Sequence, residues 1–352
     1  MKITNIEIQN FKGLKHFEMN LQEYRNKPRP LTCLTGDNGS GKTTVLQAIA
    51  LTLALATRKI NSLPTFQWNG FIPERAVSAS TYIKIGLQLD KDEITATQQV
   101  YAKWQAMFEN PGYSFIQLAN LQEISIVYKD NEITCVEGRE ALFELRGRFY
   151  VKTLLDAKFP DIRTYFSQLG DIFWFDQYRN LGNSIPTPDK VMSWSEGITT
   201  ICEHLVGWWT YHTAEYKPER DFIEELQQRL KAIFPRLKLC GPVPMRSISA
   251  PRPEDFFFYV QRNEAKPYDI AEMSSGEQAI FTMFYQLVYL EIMHSIVLID
   301  ELELHLHPQQ QQCLYGALRK LAPNSQFIIT THSPYLENII PEERIERMSG
   351  EL

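Results

Sequence analysis

The segment Gly36-Asp37-Asn38-Gly39-Ser40-Gly41-Lys42-Thr43 brings three glycines, a lysine and, directly after the lysine, a hydroxyl residue within eight positions. Glycines at this spacing let backbone N–H groups turn toward an anion, the lysine adds a positive charge, and the hydroxyl offers a hard oxygen to a divalent cation. That combination suits a nucleoside triphosphate and its metal. Gly36, Asn38, Gly39, Ser40, Gly41, Lys42, Thr43 and Thr44 are the expected nucleotide-binding residues, with Lys42 on the β- and γ-phosphates and Thr43 on Mg²⁺. A second pair, Asp300-Glu301, ends the apolar run Ile296-Val297-Leu298-Ile299. Carboxylates at the end of a buried strand can hold a metal (Asp300) and polarise an attacking water (Glu301), which is what phosphoryl transfer to water requires.

These residues must be positioned by a core. Leu31 to Thr35 is a short apolar run closed by glycine, and Lys2 to Phe11 alternates apolar and polar, so both read as strands with the charged turn Tyr24 to Pro30 between them. From Gly41 to about Lys59 apolar residues surround nearly the whole cylinder, as in a helix buried against a sheet. Tyr82 to Leu89, Glu123 to Tyr128 and Glu132 to Val136 have strand character, with Lys129-Asp130-Asn131 as a hairpin turn, and predict an antiparallel portion. Asp171 to Asp176 is an aromatic-rich strand, and the loop Asn180 to Lys190 marks a boundary. Glu196 to His212 and Glu219 to Ile233 have helical spacing. Gly241 to Pro253 reads as an irregular connector and Phe256 to Gln261 as a buried strand. Ser275 to Met293 (helix), Ile296 to Asp300 (strand), Pro308 to Leu321 (helix) and Gln326 to Thr330 (strand) alternate as in a parallel α/β sheet.

A third motif, Met273-Ser274-Ser275-Gly276-Glu277-Gln278, precedes the long apolar helix. Its Ser-x-x-Glu spacing is by itself a capping box. Gly276 stands 24 residues before Asp300, however, and His332 stands 32 residues after it within Thr330-Thr331-His332-Ser333-Pro334. In this order the motifs resemble those of the ABC-type ATPases. Ser274-Ser275-Gly276-Glu277-Gln278 matches the signature loop and His332 the switch histidine. The N-terminal strand running into Asn10-Phe11-Lys12-Gly13-Leu14, and the stretch Asp300-Glu301-Leu302-Glu303-Leu304-His305-Leu306-His307-Pro308, resemble the SMC, RecF and OLD branch.

The resemblance implies a P-loop head of α/β class with a mostly parallel core sheet, an antiparallel β portion and a helical lobe. The expected division is 1–186 (lobe I), 187–286 (helical lobe ending in the signature) and 287–352 (return to lobe I). It further implies ATP and Mg²⁺ as cofactors and a homodimer formed on ATP. Ser274, Ser275, Gly276 and Glu277 would then reach ATP held by the partner's Lys42, with Lys42, Glu301 and His332 as catalytic residues. Metal contacts fall to Thr43, Asp300 and a Mg²⁺-sensing glutamine, for which Gln177 is the candidate, the other reading being a surface glutamine. Better-known members carry long SMC-type coiled coils or, in the OLD nucleases, an appended nuclease domain, and the expectation here is a chain with neither. A role in DNA repair or anti-phage defence with a separate nuclease or effector is the leading expectation. The alternatives are a RecF-like DNA-binding clamp and a nucleotide-dependent scaffold that holds an effector protein.

Composition sets the outer limits. The 352 residues are 44% hydrophobic and 22% charged, as in ordinary folded domains. No run is apolar enough for a membrane span and the start is not a secretory signal, so the expectation is a cytoplasmic protein. With a formal net charge of −6, contact with DNA would need a local patch, and Lys12, Lys15, Arg25, Lys27 and Arg29 offer one, or else solvate a turn. The five cysteines, Cys33, Cys135, Cys202, Cys240 and Cys313, lack paired zinc spacing and read as reduced core thiols. His305 and His307 are too few for a closed metal site and read as part of a subunit-contact loop.

Overall fold

The computed structural model describes residues 1–107, 116–157, 159–177, 194–216, 220–245 and 252–348. They belong to two compact units: Met1–Asp176 with Ile292–Leu302 and Ala322–Leu352, and Gln177–Glu291 with Glu303–Leu321.

The first unit begins with β1 (Lys2–Phe11) and β2 (Leu14–Asn20), paired antiparallel with Ile8 opposite Phe17. The charged turn holds a small hairpin of β3 (Gln22–Glu23) and β4 (Lys27–Pro28). β5 (Leu31–Thr35) leads into α1 (Lys42–Ala56). The chain continues through α2 (Pro73–Ala76), β6 (Tyr82–Gln88), α3 (Lys91–Met107), β7 (Glu123–Lys129), β8 (Glu132–Cys135), α4 (Gly147–Asp156) and β9 (Ile172–Phe175). The predicted hairpin forms at Asp130 and Asn131, both with positive φ (53° and 61°), the twist that a two-residue antiparallel turn favours.

The second unit contains α5 (Trp194–Thr213), α6 (Phe222–Lys231), the antiparallel sheet β10 (Leu237–Pro244), β11 (Phe256–Arg262) and β12 (Tyr268–Asp269), and α7 (Ser275–Tyr289). The chain then forms β13 (Ile296–Ile299) in the first unit and α8 (Pro308–Leu321) in the second. β14 (Gln326–Thr330), α9 (Pro334–Ile339) and β15 (Ile345–Arg347) complete the first.

In the first unit the strand order β15-β5-β14-β13-β9 is parallel throughout, and every residue of β5, β9, β13 and β14 is buried. The antiparallel sheet has the order β2-β1-β6-β7-β8. α1 shares one core with residues of both sheets, among them Ile3, Ile8, Ile85, Ile172, Leu298 and Ile328. A helix enclosed in this way needs apolar residues on all sides, which explains why its sequence shows no polar face.

Several expectations change. β2, α3 and α4 fall where no element is predicted from the sequence. Gly241–Pro244 is not irregular but continues β10, with a register shift between Leu239 and Gly241 that the positive φ of Gly241 (98°) accommodates. The rest of that connector, residues 246–251, and the loop Asn180–Lys190 lie outside the described residues. In β11 only Phe258 and Val260 are buried. Glu303–Leu321 groups with the second unit, whereas the sequence reading places it in lobe I. Cys33 and Cys135 are core thiols, but Cys202 and Cys240 are half-buried and Cys313 is exposed, because it lies on the outer side of amphipathic α8. No helix of the described residues is long and apolar enough to cross a membrane.

Candidate functional site

The strand β5 delivers the chain to Gly36, and the loop to Gly41 turns it into α1. Gly36 (φ 139°) and Gly41 (φ 91°) are required for two reasons, conformation and space. A Cβ at Gly36 would lie 2.5 Å from the Met348 carbonyl oxygen, and one at Gly41 would lie 2.8 Å from Leu14 Cδ2. Gly39 (φ 82°) would meet nothing within 4 Å, so its backbone faces open space beside exposed Asp37 and Asn38. The Lys42 ammonium, on a side chain only 5% exposed as a residue, spans this loop and donates to Gly36 O (2.9 Å) and Asp37 O (2.8 Å). Ser40 is buried and its hydroxyl stands 3.4 Å from the same ammonium, while Thr43 and Thr44 are half-buried in the first turn of α1.

Asp300 meets this loop at the end of β13. It is 1% exposed, and the Thr43 hydroxyl lies 3.0 Å from each of its carboxylate oxygens. The Thr330 hydroxyl, at the end of neighbouring β14, donates to Asp300 Oδ1 (2.7 Å) and accepts from the Glu301 amide (2.8 Å). Thr330 is a site residue that the sequence reading missed as such. Its position directly before Thr331-His332 was the available signal. Glu301 is half-buried with a positive φ (46°), a conformation disfavoured for a residue with a Cβ and held here by hydrogen bonds of its own and the next amide to Thr330. Two carboxylate oxygens beside one hydroxyl form a hard-oxygen set, which fits a Mg²⁺-type cation.

Lys12 is exposed as a residue, but its ammonium is tied to the neighbouring helix. Its ammonium donates to Gln47 of α1 (2.8 Å), and burial lowers its pKa against the opposing attraction of Asp300. Lys15, Arg25 and Lys27 are exposed, Arg25 standing over the Tyr24 ring, and Arg29 is tied to Gln22 O. At the other end of α1, Lys59 donates to Ile172 O (2.6 Å) and pairs with Asp171, bracing the helix against β9. Burial pushes its pKa down to about 8. Buried Asp176 directly follows β9, and half-buried Gln177 comes next as the first residue of the second unit. His332 is exposed after β14, between buried Thr331 and Ser333, and the Ser333 hydroxyl caps α9.

In the second unit the signature segment opens α7. Glu277 is buried and accepts from both the Ser274 amide (3.0 Å) and hydroxyl (2.7 Å), while its other oxygen pairs with Arg262. The capping box is therefore real, and it turns the Glu277 carboxylate inward. Ser274 and Ser275 remain exposed. Gly276 is buried, and a Cβ there would stand 2.2 Å from the His305 carbonyl oxygen. His305 itself has a positive φ (60°), and its ring and that of His307 are exposed.

Residues 1–165 match the family described as "AAA ATPase domain", and residues 179–336 match "AAA domain, putative AbiEii toxin, Type IV TA system". The chain is 21% identical over 394 residues to the Retron Vc95 probable ATPase of Vibrio cholerae serotype O1 biovar El Tor, covering 98% of this chain and 73% of that protein. It is likewise 21% identical over 400 residues to the Retron Ec83 probable ATPase of Escherichia coli, covering 98% and 71%. Among solved structures, an SmcHead bound to the C-winged helix domain of ScpA has the same fold at TM-score 0.50 and 15% identity, covering 96% of this chain and 91% of that one.

Proposed function

We propose that the chain, which is similar to AAA ATPase domains and retron probable ATPases and shares the fold of an SMC head, is an ABC-type ATPase of the SMC-like branch and a molecular switch whose ATP site is completed by dimerisation. The observation that carries this reading is the contrast within the chain. The Lys42, Thr43 and Asp300 cluster is satisfied by its own unit, whereas Ser274 and Ser275 stand exposed at the start of a 15-residue helix with their neighbour Glu277 turned inward. Exposed hydroxyls and amides at a helix N-terminus suit an anion, here the γ-phosphate of ATP on a second copy.

In this reading Lys42 and the loop amides hold the phosphates, Thr43 and Asp300 hold Mg²⁺, and Glu301 orients water for in-line attack. Bound Mg²⁺ would offset charge on the phosphate oxygens. Thr330 fixes both carboxylate-bearing residues, Asp300 through its side chain and Glu301 through its backbone. His332 is the proposed γ-phosphate contact within the subunit and Gln177 the proposed Mg²⁺ sensor. The similarity to retron probable ATPases supports an ATPase of defence type, and a separate effector protein is the proposed partner. Exposed Lys15, Arg25 and Lys27 favour a second reading, closure on DNA, which predicts ATP-dependent binding that weakens steeply with salt.

The deciding experiment is the mass of Glu301→Gln by light scattering with and without Mg-ATP. Doubling only with ATP is expected. An unchanged monomer, or an oligomer already complete without nucleotide, would overturn dimerisation on ATP.

A further inference from the structure

The second unit contains a built groove that the ATPase chemistry does not use. It has a volume of about 380 Å³ and runs between the end of α5, one side of α6 and the start of β10. Trp209, Ile223, Leu237 and Leu239 give it apolar walls, and Lys231, Arg236 and Lys238, all exposed, supply its cations.

The groove is held in shape from below. The Gln227 side chain donates to Leu237 O (2.8 Å) and accepts from the Leu239 amide (2.7 Å), fastening α6 to β10. Trp209 is fixed edge-on to Phe258 and packs over Gly241, where a Cβ would come within 2.4 Å of the indole. A wall fixed before binding spares the ordering entropy that weakens recognition by mobile side chains.

Its charge opposes that of the whole molecule. Three cations face one carboxylate, Glu224, which is already engaged by Gln228 (3.1 Å), on a chain of formal net charge −6. The remaining ionisable group in the lining, His212, is paired with Asp221 at 2.7 Å. Among the described residues no ion pair is formed by Lys231, Arg236 or Lys238, whereas Arg220 and Arg229 of the same unit are both paired. The stretch of sequence that supplies the groove also carries exposed apolar residues outside its lining. Four of the nine exposed large hydrophobic residues of the described chain, Tyr211, Tyr216, Val243 and Met245, lie between positions 211 and 245.

We propose that this groove binds an acidic polypeptide segment of a partner protein, with an apolar side chain seated against Trp209, Ile223 and Leu239 and flanking Asp or Glu residues on Lys231, Arg236 and Lys238. A nucleic-acid strand fits less well. The walls are mainly aliphatic with a single tryptophan where a strand needs a series of stacking faces, and the lining includes the carboxylate of Glu224, which repels phosphate. The volume suits one or two side chains. This inference goes beyond the nucleotide switch and stands independently of it, since no groove residue belongs to the ATP site.

The test uses the full-length protein and a panel of fluorescein-labelled peptides in which Leu, Phe or Trp is flanked by Asp and Glu, read by fluorescence anisotropy. Controls carry the same anchors flanked by Lys. The charge-reversed variant Lys231→Glu/Arg236→Glu/Lys238→Glu and the wall variant Trp209→Ala are measured beside the wild type, with unchanged ATPase activity and thermal midpoint as the check on folding. At least one acidic peptide is expected to bind, with affinity falling about tenfold or more in each variant, and the charge-reversed protein is expected to prefer the Lys-flanked set. Binding by no acidic member, or binding indifferent to both variants, would overturn the proposal. Tighter binding of a dT30 oligonucleotide that the charge reversal abolishes would replace it with a nucleic-acid site.

Discussion

Asp300 and Ser274 stand for the two ways this chain prepares polar groups for ATP. Asp300 is 1% exposed and receives hydroxyls from Thr43 and Thr330, one from the first turn of α1 and one from a neighbouring strand. Ser274 is exposed, and its partners come from its own helix. A buried carboxylate needs several fixed partners, so tertiary structure must supply them. A helix start can be satisfied locally and still present donors outward. The first arrangement favours chemistry that depends on exact charge placement, and the second favours a surface that another molecule can engage.

The largest expected effect breaks the first side of this comparison. Lys42→Ala removes the ammonium that spans Gly36 and Asp37, and should reduce binding of a fluorescent ATP analogue about a hundredfold or more. Retained affinity would show that the loop amides alone hold the phosphates. Glu301→Gln should come next, lowering ATP turnover by about 10²-fold or more while ATP binding persists, measured as phosphate release beside equilibrium binding. Equal hydrolysis by variant and wild type would remove Glu301 from the role assigned to it.

Gly276→Ala tests the second side. The added methyl would lie 2.2 Å from the His305 carbonyl, a backbone atom that cannot rotate aside. A loss of about 1–3 kcal/mol in urea unfolding is expected, with ATP turnover reduced and nucleotide affinity at Lys42 kept. If the variant were as stable as the wild type, the signature helix would not be packed against the segment after Glu301 in this way.

Burial also leaves a pH signature in the first unit. Lys59 has its pKa lowered to about 8, chiefly by burial. An unfolded lysine keeps its proton to about 10.4, so between these values the unfolded chain binds more protons and stability rises with pH. Below pH 8 the buried ammonium is charged and its desolvation opposes folding. Urea midpoints of the wild type and Lys59→Met, compared from pH 7.5 to 10, should show the wild type gaining on the order of 2–3 kcal/mol relative to the variant. A constant difference would place Lys59 in a wetter setting than its contacts with Ile172 and Asp171 indicate.

The legible parts of the sequence were those where one physical requirement dominated. β5, α8 and β14 fall at their predicted bounds because uninterrupted burial or a proline start leaves few alternatives. The loop Gly36–Gly41 was legible because only glycine fits beside Met348 and Leu14. α3 was missed because its buried side includes Glu93, Ala96 and Thr97, too polar or small to draw an apolar stripe. β2 was missed because four of its seven residues, including His16 and Glu18, are exposed beside a charged turn. Thr330 escaped notice because a single threonine ending a buried strand has no pattern, and its importance lies in contacts with residues 29 and 30 positions away.

The smallest expected effect sharpens the comparison most. Ser274→Ala deletes one hydroxyl whose contact within the chain is with Glu277, while the Ser274 amide keeps its own bond to the same carboxylate. Losing that half of the cap should lower stability by about 1 kcal/mol or less. A residue that serves only its own helix would then leave ATP turnover at the wild-type rate once the protein is folded. A residue that also reaches ATP on a second copy would lower turnover several-fold and weaken ATP-dependent dimerisation of Glu301→Gln, with nucleotide affinity unchanged. Stability and turnover measured on the same preparation therefore separate the local role of Ser274 from the shared one, because loss of the cap lowers only the first and loss of a contact to a second copy lowers the second.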